Sequence, residues 1–264
     1  MPNPEGTPIW YELMSADPEA SKAFYDEVIG WTVQDKPDGE MDYRMIDSGN
    51  EGAFVGGVFH LTEQMTAGGA KPGWLFYIGV DDVDASVEKI RAAGGGVMVP
   101  AWDIPNVGRV AMVTDPQGIP FYVMRGASDG ESTAWDRMGM GKCNWNELST
   151  PDQAGANAFY ATVFGWTYPD KMPMGPLGDY VFIQAGEQTI GATMQTIPPG
   201  QPNAQPSAWQ FYFRAPDIEA AAAKVTAQGG TVHAGPMEVP GGDRIIVASD
   251  PHGVMFGVVG PGNA

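Results

Sequence analysis

Two glutamates stand in matching tetrapeptides, Trp10-Tyr11-Glu12-Leu13 and Trp145-Asn146-Glu147-Leu148. Side chains two apart on a strand share a face, so each glutamate lies on the side of its tryptophan. A carboxylate set among apolar groups has a raised pKa and can work as an acid or a base. A carboxylate in the same place can also bind backbone N–H groups or an arginine. The occurrence of Glu12 and Glu147 in both copies favours this structural role, because an active site often survives in only one of two copies. Arg109 and Arg244 open matched strands. They could grip an anion by bidentate pairing. An internal pair with Glu12 and Glu147, or with the turn aspartates Asp115 and Asp250, is the safer expectation. Other catalytic signatures are absent: there is no P-loop, GxSxG or zinc motif, and His60, His233 and His252 do not recur between copies.

The elements that must position these groups also come twice. Phe24-Tyr25 returns as Phe159-Tyr160, Gly30-Trp31 as Gly165-Trp166, Trp74 as Trp209, and Asp115-Pro116 as Asp250-Pro251, all at the 135-residue spacing of Trp10 and Trp145. A constant offset means two copies of one domain. Copy one spans 8–125 and copy two 143–259, and the Gly-, Ser-, Asp- and Met-rich stretch 126–142 reads as a linker in which Trp135 could still pack.

Within copy one, Ile9 to Met14 is a strand. Asp17-Pro18 opens a helix that Gly30 closes. Three strands follow, at Trp31 to Val33, Tyr43 to Asp47 and Phe54 to Leu61. The order then repeats: a strand from Trp74 to Val80, a helix from Asp82 to Ala93, and strands at Val97 to Pro100, Arg109 to Thr114 and Pro120 to Arg125. The tetrad Asp115-Pro116-Gln117-Gly118 reads as a turn. Copy two predicts helices near Gln153–Val163 and Pro216–Ala227. The fold expected is α+β, four βαβββ units paired into two domains. The Phe, Tyr and Trp residues of the helix–strand pattern belong to cores, while Trp74 and Trp209 open the fifth strand and could lie at a cup rim.

With Asp17-Pro18-Glu19-Ala20-Ser21-Lys22-Ala23-Phe24-Tyr25, Gly30-Trp31, Val80-Asp81-Asp82-Val83-Asp84-Ala85, Asp115-Pro116-Gln117-Gly118 and their second-copy counterparts, the chain resembles the vicinal oxygen chelate superfamily. That group includes glyoxalase I, bleomycin-resistance proteins and extradiol dioxygenases. The resemblance implies two cupped domains, each with a divalent metal held by His, Glu or Gln. Carried over position by position, the first-strand ligand falls on Trp10 and Trp145, the fifth-strand ligand on Leu75 and Gln210, the last-strand ligand on Tyr122 and Gly257, and the fourth-strand ligand near Gly57 and Ala192. Such metals need nitrogen and oxygen donors. Indole only donates, and leucine and glycine offer nothing. Only Gln210 is an ordinary ligand type, so the expectation is no cofactor and no metal, and a bound divalent metal would contradict it. Tyr77 and Tyr212 follow Leu75 and Gln210 by two residues and share their face.

Composition narrows the partners. The 264 residues carry a net charge of −18, which argues against nucleic acid and against anionic membrane surfaces, both of which need clustered cations. The single cysteine, Cys143, fits a reducing cytoplasm. The N-terminus has no signal-peptide pattern, and no apolar run reaches the ~20 residues of a membrane span. The leading expectation is a cytoplasmic, metal-independent glyoxalase-like protein whose aromatic cups (Trp10, Leu75, Tyr77, Tyr122, Trp145, Gln210, Tyr212) bind a small aromatic or amphipathic molecule. An enzyme (lyase, isomerase or hydroxylase) using Glu12 or Glu147 as acid or base, and a structural or interaction protein with filled cups, remain open. The oligomeric state is left open too.

Overall fold

A computed structural model describes residues 3–39, 41–49, 53–197 and 206–262. One eight-stranded sheet holds β1 (Pro8–Ser15), β2 (Thr32–Val33), β3 (Tyr43–Asp47), β4 (Phe54–His60), β5 (Gly73–Gly79), β6 (Gly96–Ile104), β7 (Gly108–Thr114) and β8 (Pro120–Gly126). The other holds β9 (Cys143–Thr150), β10 (Lys171–Pro173), β11 (Asp179–Ala185), β12 (Gln188–Gln195), β13 (Ala208–Arg214), β14 (Thr231–Glu238), β15 (Asp243–Ser249) and β16 (Met255–Pro261). Each sheet contains two quartets of one design: β2-β3-β4-β1 and β5-β8-β7-β6, then β10-β11-β12-β9 and β13-β16-β15-β14. In every quartet the first and last strands in sequence run parallel, and the other neighbours are antiparallel. These are the four βαβββ units of a tandem α+β fold.

The crossover helices are α1 (Pro18–Ile29), α3 (Val83–Ala92), α4 (Gln153–Phe164) and α5 (Ile218–Ala227). Each begins at an aspartate, Asp17, Asp82, Asp152 or Asp217, whose carboxylate accepts from a backbone N–H three residues on. Gly30 and Gly165 end α1 and α4 in the left-handed region. A fifth, short helix, α2 (Glu63–Ala67), was not expected. Its five residues carry no apolar periodicity, and only the Thr62 cap marks its start.

The chain packs as two compact units. Unit 1 comprises Met1–Ile9, Phe76–Ser132 and Trp145–Trp209; unit 2 comprises Trp10–Leu75, Thr133–Asn144 and Gln210–Ala264. Each draws one βαβββ unit from each copy, and its core is aromatic. In unit 1, Phe121 lies against Phe159, Tyr160 and Phe164, and Phe76 against Trp209. In unit 2, Phe256 meets Phe24 and Tyr25, and Phe213 meets Trp31 and Trp74. The paired glycines serve these cores: a Cβ on Gly230 would stand 2.9 Å from the Phe24 ring.

The end of the stretch read as a linker is tied down by hydrogen bonds. In unit 2 the Gly141 N–H donates to the Arg214 carbonyl, the Arg214 N–H donates to the Lys142 carbonyl, and Trp31 Nε1 donates to the Gly141 carbonyl.

Candidate functional site

Unit 1 gathers Trp145, Glu147, Tyr180 and Phe182 on one face. β9 supplies the first two, and β11 supplies the others. Between them runs β12, with Ala192 in register with both Glu147 and Phe182. Trp145 Nε1 donates to the Tyr180 hydroxyl at 2.7 Å. The Tyr180 hydroxyl donates to Glu147 Oε2 at 2.6 Å. The directions are forced: indole can only donate, so the hydroxyl accepts from it and turns its own proton to the carboxylate. The second distance is that of a charge-assisted bond. Phe182 lies edge-on to Trp145 and Tyr180. β11 is itself fixed from behind, because Gln153 at the start of α4 donates to the carbonyls of Asp179 and Thr193.

Unit 2 builds the counterpart. Trp10 Nε1 donates to the Tyr43 hydroxyl at 2.8 Å. β4 places Gly57 in register with Glu12. A Cβ on Gly57 would stand 2.3 Å from the Tyr43 ring, so glycine is what lets that ring lie on the strand. Arg44, next along β3, is buried and grips Asp42 at 2.8 and 3.1 Å and Glu19 at 2.6 Å, which locks β3 to α1. These bonds hold the Asp42 carboxyl below its usual range. The two faces differ in depth: Glu12 is only 4% exposed, whereas Glu147 is half-buried.

The remaining positions pack with each other. In unit 1, Tyr77 and Tyr122 are cross-strand partners whose rings stack at 4.2 Å. In unit 2, Tyr212 pairs with Gly257, where a Cβ would lie 2.2 Å from its ring. Gln210 Nε2 donates to the Tyr212 hydroxyl at 3.1 Å. Leu75 is buried in unit 2.

Two expectations are corrected. Trp74 and Trp209 are core residues, each 6% exposed, not rim residues. Trp74 Nε1 donates to the Tyr25 hydroxyl and Trp209 Nε1 to that of Tyr160, both at 3.0 Å. The arginines do make internal pairs, but with neither Glu12, Glu147 nor the turn aspartates. Arg109 binds Asp84 at the start of α3 and Asp103 across the β6–β7 ladder. Arg244 binds Glu219 at the start of α5 and the Pro236 carbonyl. A strand-end arginine meets the acidic first turn of the helix packed over it.

Sequence reasoning missed Tyr43 and Tyr180. They are 137 residues apart, not 135, because the loop before β11 is longer by two residues and the turn after it shorter by two. The alternation of Tyr180 and Phe182 on an apolar strand was the available signal. An open depression of about 830 Å³ in unit 2 is lined by Ala16, His60, Leu61, Thr62, Glu63 and Gln64. It contains none of the strand-face groups described above.

The family model for the glyoxalase/bleomycin resistance protein/dioxygenase superfamily matches residues 8–123 and again 142–258. The chain belongs to this superfamily. Among relatives, it is 36% identical over 262 residues to "Putative glyoxylase CFP32" of Mycobacterium bovis, covering 97% of this chain and 95% of that protein. It is 30% identical over 270 residues to "Anthracycline biosynthesis protein DauV" of Streptomyces sp. strain C5, covering 96% and 93%. Among solved structures, the Mn(II)-bound glyoxalase from Novosphingobium aromaticivorans aligns with a TM-score of 0.63 at 16% identity over 98% of this chain and 83% of that one. The 2,2',3-trihydroxybiphenyl 1,2-dioxygenase from Sphingomonas wittichii strain RW1 aligns with 0.66 at 15% identity over 98% and 91%. At these identities the structural matches establish the fold.

The superfamily resemblance implies a divalent metal, and the residues at the inferred positions do not fit one. Both indole N–H groups point into tyrosine hydroxyls. Gly57 and Gly257 are overlaid by tyrosine rings. Gln210 is the one ordinary donor type, and no group of three or more His, Cys, Asp or Glu side chains among the described residues is placed to hold an ion.

Glu12 and Glu147 should answer differently to Glu→Gln. Glu12 is buried, and loss of its charge is expected to lower stability by about 1–3 kcal/mol. The half-buried Glu147 should lose about 1 kcal/mol or less, because solvent compensates. Denaturant melts of the two single variants check this; equal losses would contradict the difference in depth.

Proposed function

We propose that this superfamily member works without a metal and binds a small aromatic or amphipathic molecule on its aromatic strand faces. The observation that carries the reading is the replacement of metal-ligand positions by Trp10, Leu75, Tyr122 and Trp145, with tyrosines laid over the glycines. Flat rings with a few fixed polar groups suit a planar ligand. Relatives named for anthracycline biosynthesis support a polycyclic aromatic ligand. The net charge of −18 and the single cysteine support a cytoplasmic protein with small-molecule rather than nucleic-acid or membrane partners, and no described helix is long and apolar enough to cross a membrane.

The test joins elemental analysis to calorimetry. Purified protein is expected to hold no stoichiometric Zn, Ni, Fe or Mn, and EDTA-treated protein should bind two- and three-ring aromatics as well as untreated protein does. One tightly held transition metal per chain, lost in a Gln210→Ala variant, would overturn the metal-independent reading. Failure of every aromatic to bind would overturn the ligand class and leave the protein with filled, structural faces.

One observation favours a second reading, an enzyme of the lyase, isomerase or hydroxylase type: the short Tyr180–Glu147 bond leaves a carboxylate and a phenol in direct proton contact. Glu147 is then the acid–base group, and Glu12 the buried counterpart.

A further inference from the structure

We infer that residues 4–7 form a lid over the aromatic core of unit 1, held shut by a surface ion pair and therefore opened by salt, whereas the matching segment of unit 2 is locked by a buried ion pair. The inference concerns access to that core and goes beyond the proposed function.

The internal repeat supplies a matched pair of segments. Gly6, Thr7 and Gly79 stand 135 residues before Gly141, Lys142 and Arg214. In unit 1 the Gly6 N–H donates to the Gly79 carbonyl and the Gly79 N–H to the Thr7 carbonyl, at 2.9 and 2.8 Å. In unit 2 the Gly141 N–H donates to the Arg214 carbonyl and the Arg214 N–H to the Lys142 carbonyl, at 2.9 and 3.0 Å. Each segment also receives an indole N–H, from Trp166 on Gly6 and from Trp31 on Gly141. The backbone bonds are the same, so a difference in opening must come from side chains. The Gly6 segment lies directly on the core, because a Cβ there would stand 3.0 Å from both the Phe164 carbonyl oxygen and the Trp166 indole nitrogen. Lifting it uncovers Trp166 and Phe164.

The side chains differ in kind. In unit 2 the buried Arg214 grips Asp243 at 2.8 and 2.9 Å and donates to Asn144 Oδ1 at 3.2 Å. Asn144, fully buried, donates in turn to the carbonyls of Asp136 and Gly139. A buried pair of this kind is hard to break and is screened little by salt. The matching positions in unit 1 are Gly79, Gly108 and Ile9, which offer no such clamp. There Glu5 lies 3.5 Å from Lys89 Nζ, with the two side chains 32% and 53% exposed. Its other oxygen accepts from the Asp81 N–H at 3.4 Å, and Asn3 adds a neutral bond from the Ser132 N–H. The counterpart of Glu5 is Met140, so only unit 1 holds its segment by a charge at the surface. Exposed pairs are weak and lose strength as salt rises.

Amide hydrogen exchange, read by NMR on the full chain, compares the two segments in one sample. After correction for intrinsic rates, the Gly6 and Gly79 amides are expected to exchange about tenfold or more faster than those of Gly141 and Arg214. Raising NaCl from about 0.01 M to about 1 M shortens the screening length from about 30 Å to about 3 Å. That change should speed Gly6 and Gly79 about two- to fivefold and leave Gly141 and Arg214 unchanged. The Trp166 indole N–H should follow Gly6, and the Trp31 indole N–H should stay slow. Glu5→Gln should reproduce the faster exchange at low salt and abolish the salt response. Arg214→Met combined with Asp243→Leu, which leaves no buried charge unpaired, should bring Gly141 to the rate of Gly6. Equal exchange of the two segments in the wild type would overturn the lid. A salt response shared by all four amides would assign the effect to the whole fold and overturn it as well. A response that survives in Glu5→Gln would remove the ion pair from the device. The wild-type comparison stands even where the double variant fails to fold. None of these readings needs a ligand, so the lid and the proposed function stand or fall separately.

Discussion

Replacing Trp31 or Trp166 with alanine is expected to cost about 3–5 kcal/mol, the range for emptying an aromatic site in a core. Each is nearly sealed, at 4% and 2% exposure. Trp31 stacks on Tyr25, meets Trp74 and Phe213 edge-on, and donates its N–H to the Gly141 carbonyl at 2.6 Å. Trp166 stacks on Tyr160 at 5.0 Å and donates to the Gly6 carbonyl at 2.8 Å. The loss thus combines a cavity with an orphaned carbonyl. Tryptophan to phenylalanine keeps most of the ring area and loses the bond, so about 1–3 kcal/mol is expected. Chemical denaturation of the four variants measures the ladder. Because Trp31 lies in unit 2 and Trp166 in unit 1, a loss at one site only would show that one unit sets the global transition. An alanine variant as stable as its phenylalanine counterpart would refute the packing account.

Most of the fold was legible because it is written twice. The Asp N-caps, the terminating Gly30 and Gly165, and the Asp-Pro turns are local signals whose chemistry needs no tertiary context, and their constant offset fixed the order of elements. The short α2 was not legible, since five exposed residues carry no period. The Trp74 and Trp209 environments were not legible, because strand periodicity tells which face a residue takes and not what covers it. Their N–H groups end on Tyr25 and Tyr160, from elements far away in sequence. The site was half legible. Alternation placed Trp145 with Glu147, but Tyr180, the group that joins them, sits on a strand displaced by two residues from the repeat. Nor could sequence show that Gly57 and Gly257 are the floors under tyrosine rings, because a glycine looks the same whether it frees a backbone or makes room for a neighbour.

The turn aspartates should give the other large effect. Asp115 Oδ1 accepts from the N–H groups of Gln117 and Ile119 at 2.9 Å, and Asp250 Oδ1 accepts from those of His252 and Val254 at the same distance. Their second oxygens accept from Tyr160 and Tyr25 at 3.4 Å. Alanine at either position strands two backbone donors and a buried phenol, so a loss of about 2–4 kcal/mol is expected. Asparagine retains the acceptor for the backbone pair and should cost about 1 kcal/mol or less near neutrality. The pH dependence separates charge from geometry. Burial pushes both carboxyls above their ordinary value and pushes the Tyr25 and Tyr160 phenols well up, against the lowering effect of the backbone donors on the aspartates. A carboxyl raised in the native state contributes stability that is complete below its unfolded value, near 3.9, and is lost as pH rises through the native value. The wild type should therefore gain on Asp115→Asn and Asp250→Asn as pH falls from neutrality toward about 4. Denaturant midpoints of wild type and asparagine variants across that window measure the difference. A difference that stays flat means that burial does not act on these carboxyls, and one that shrinks toward acid means that the backbone donors outweigh it.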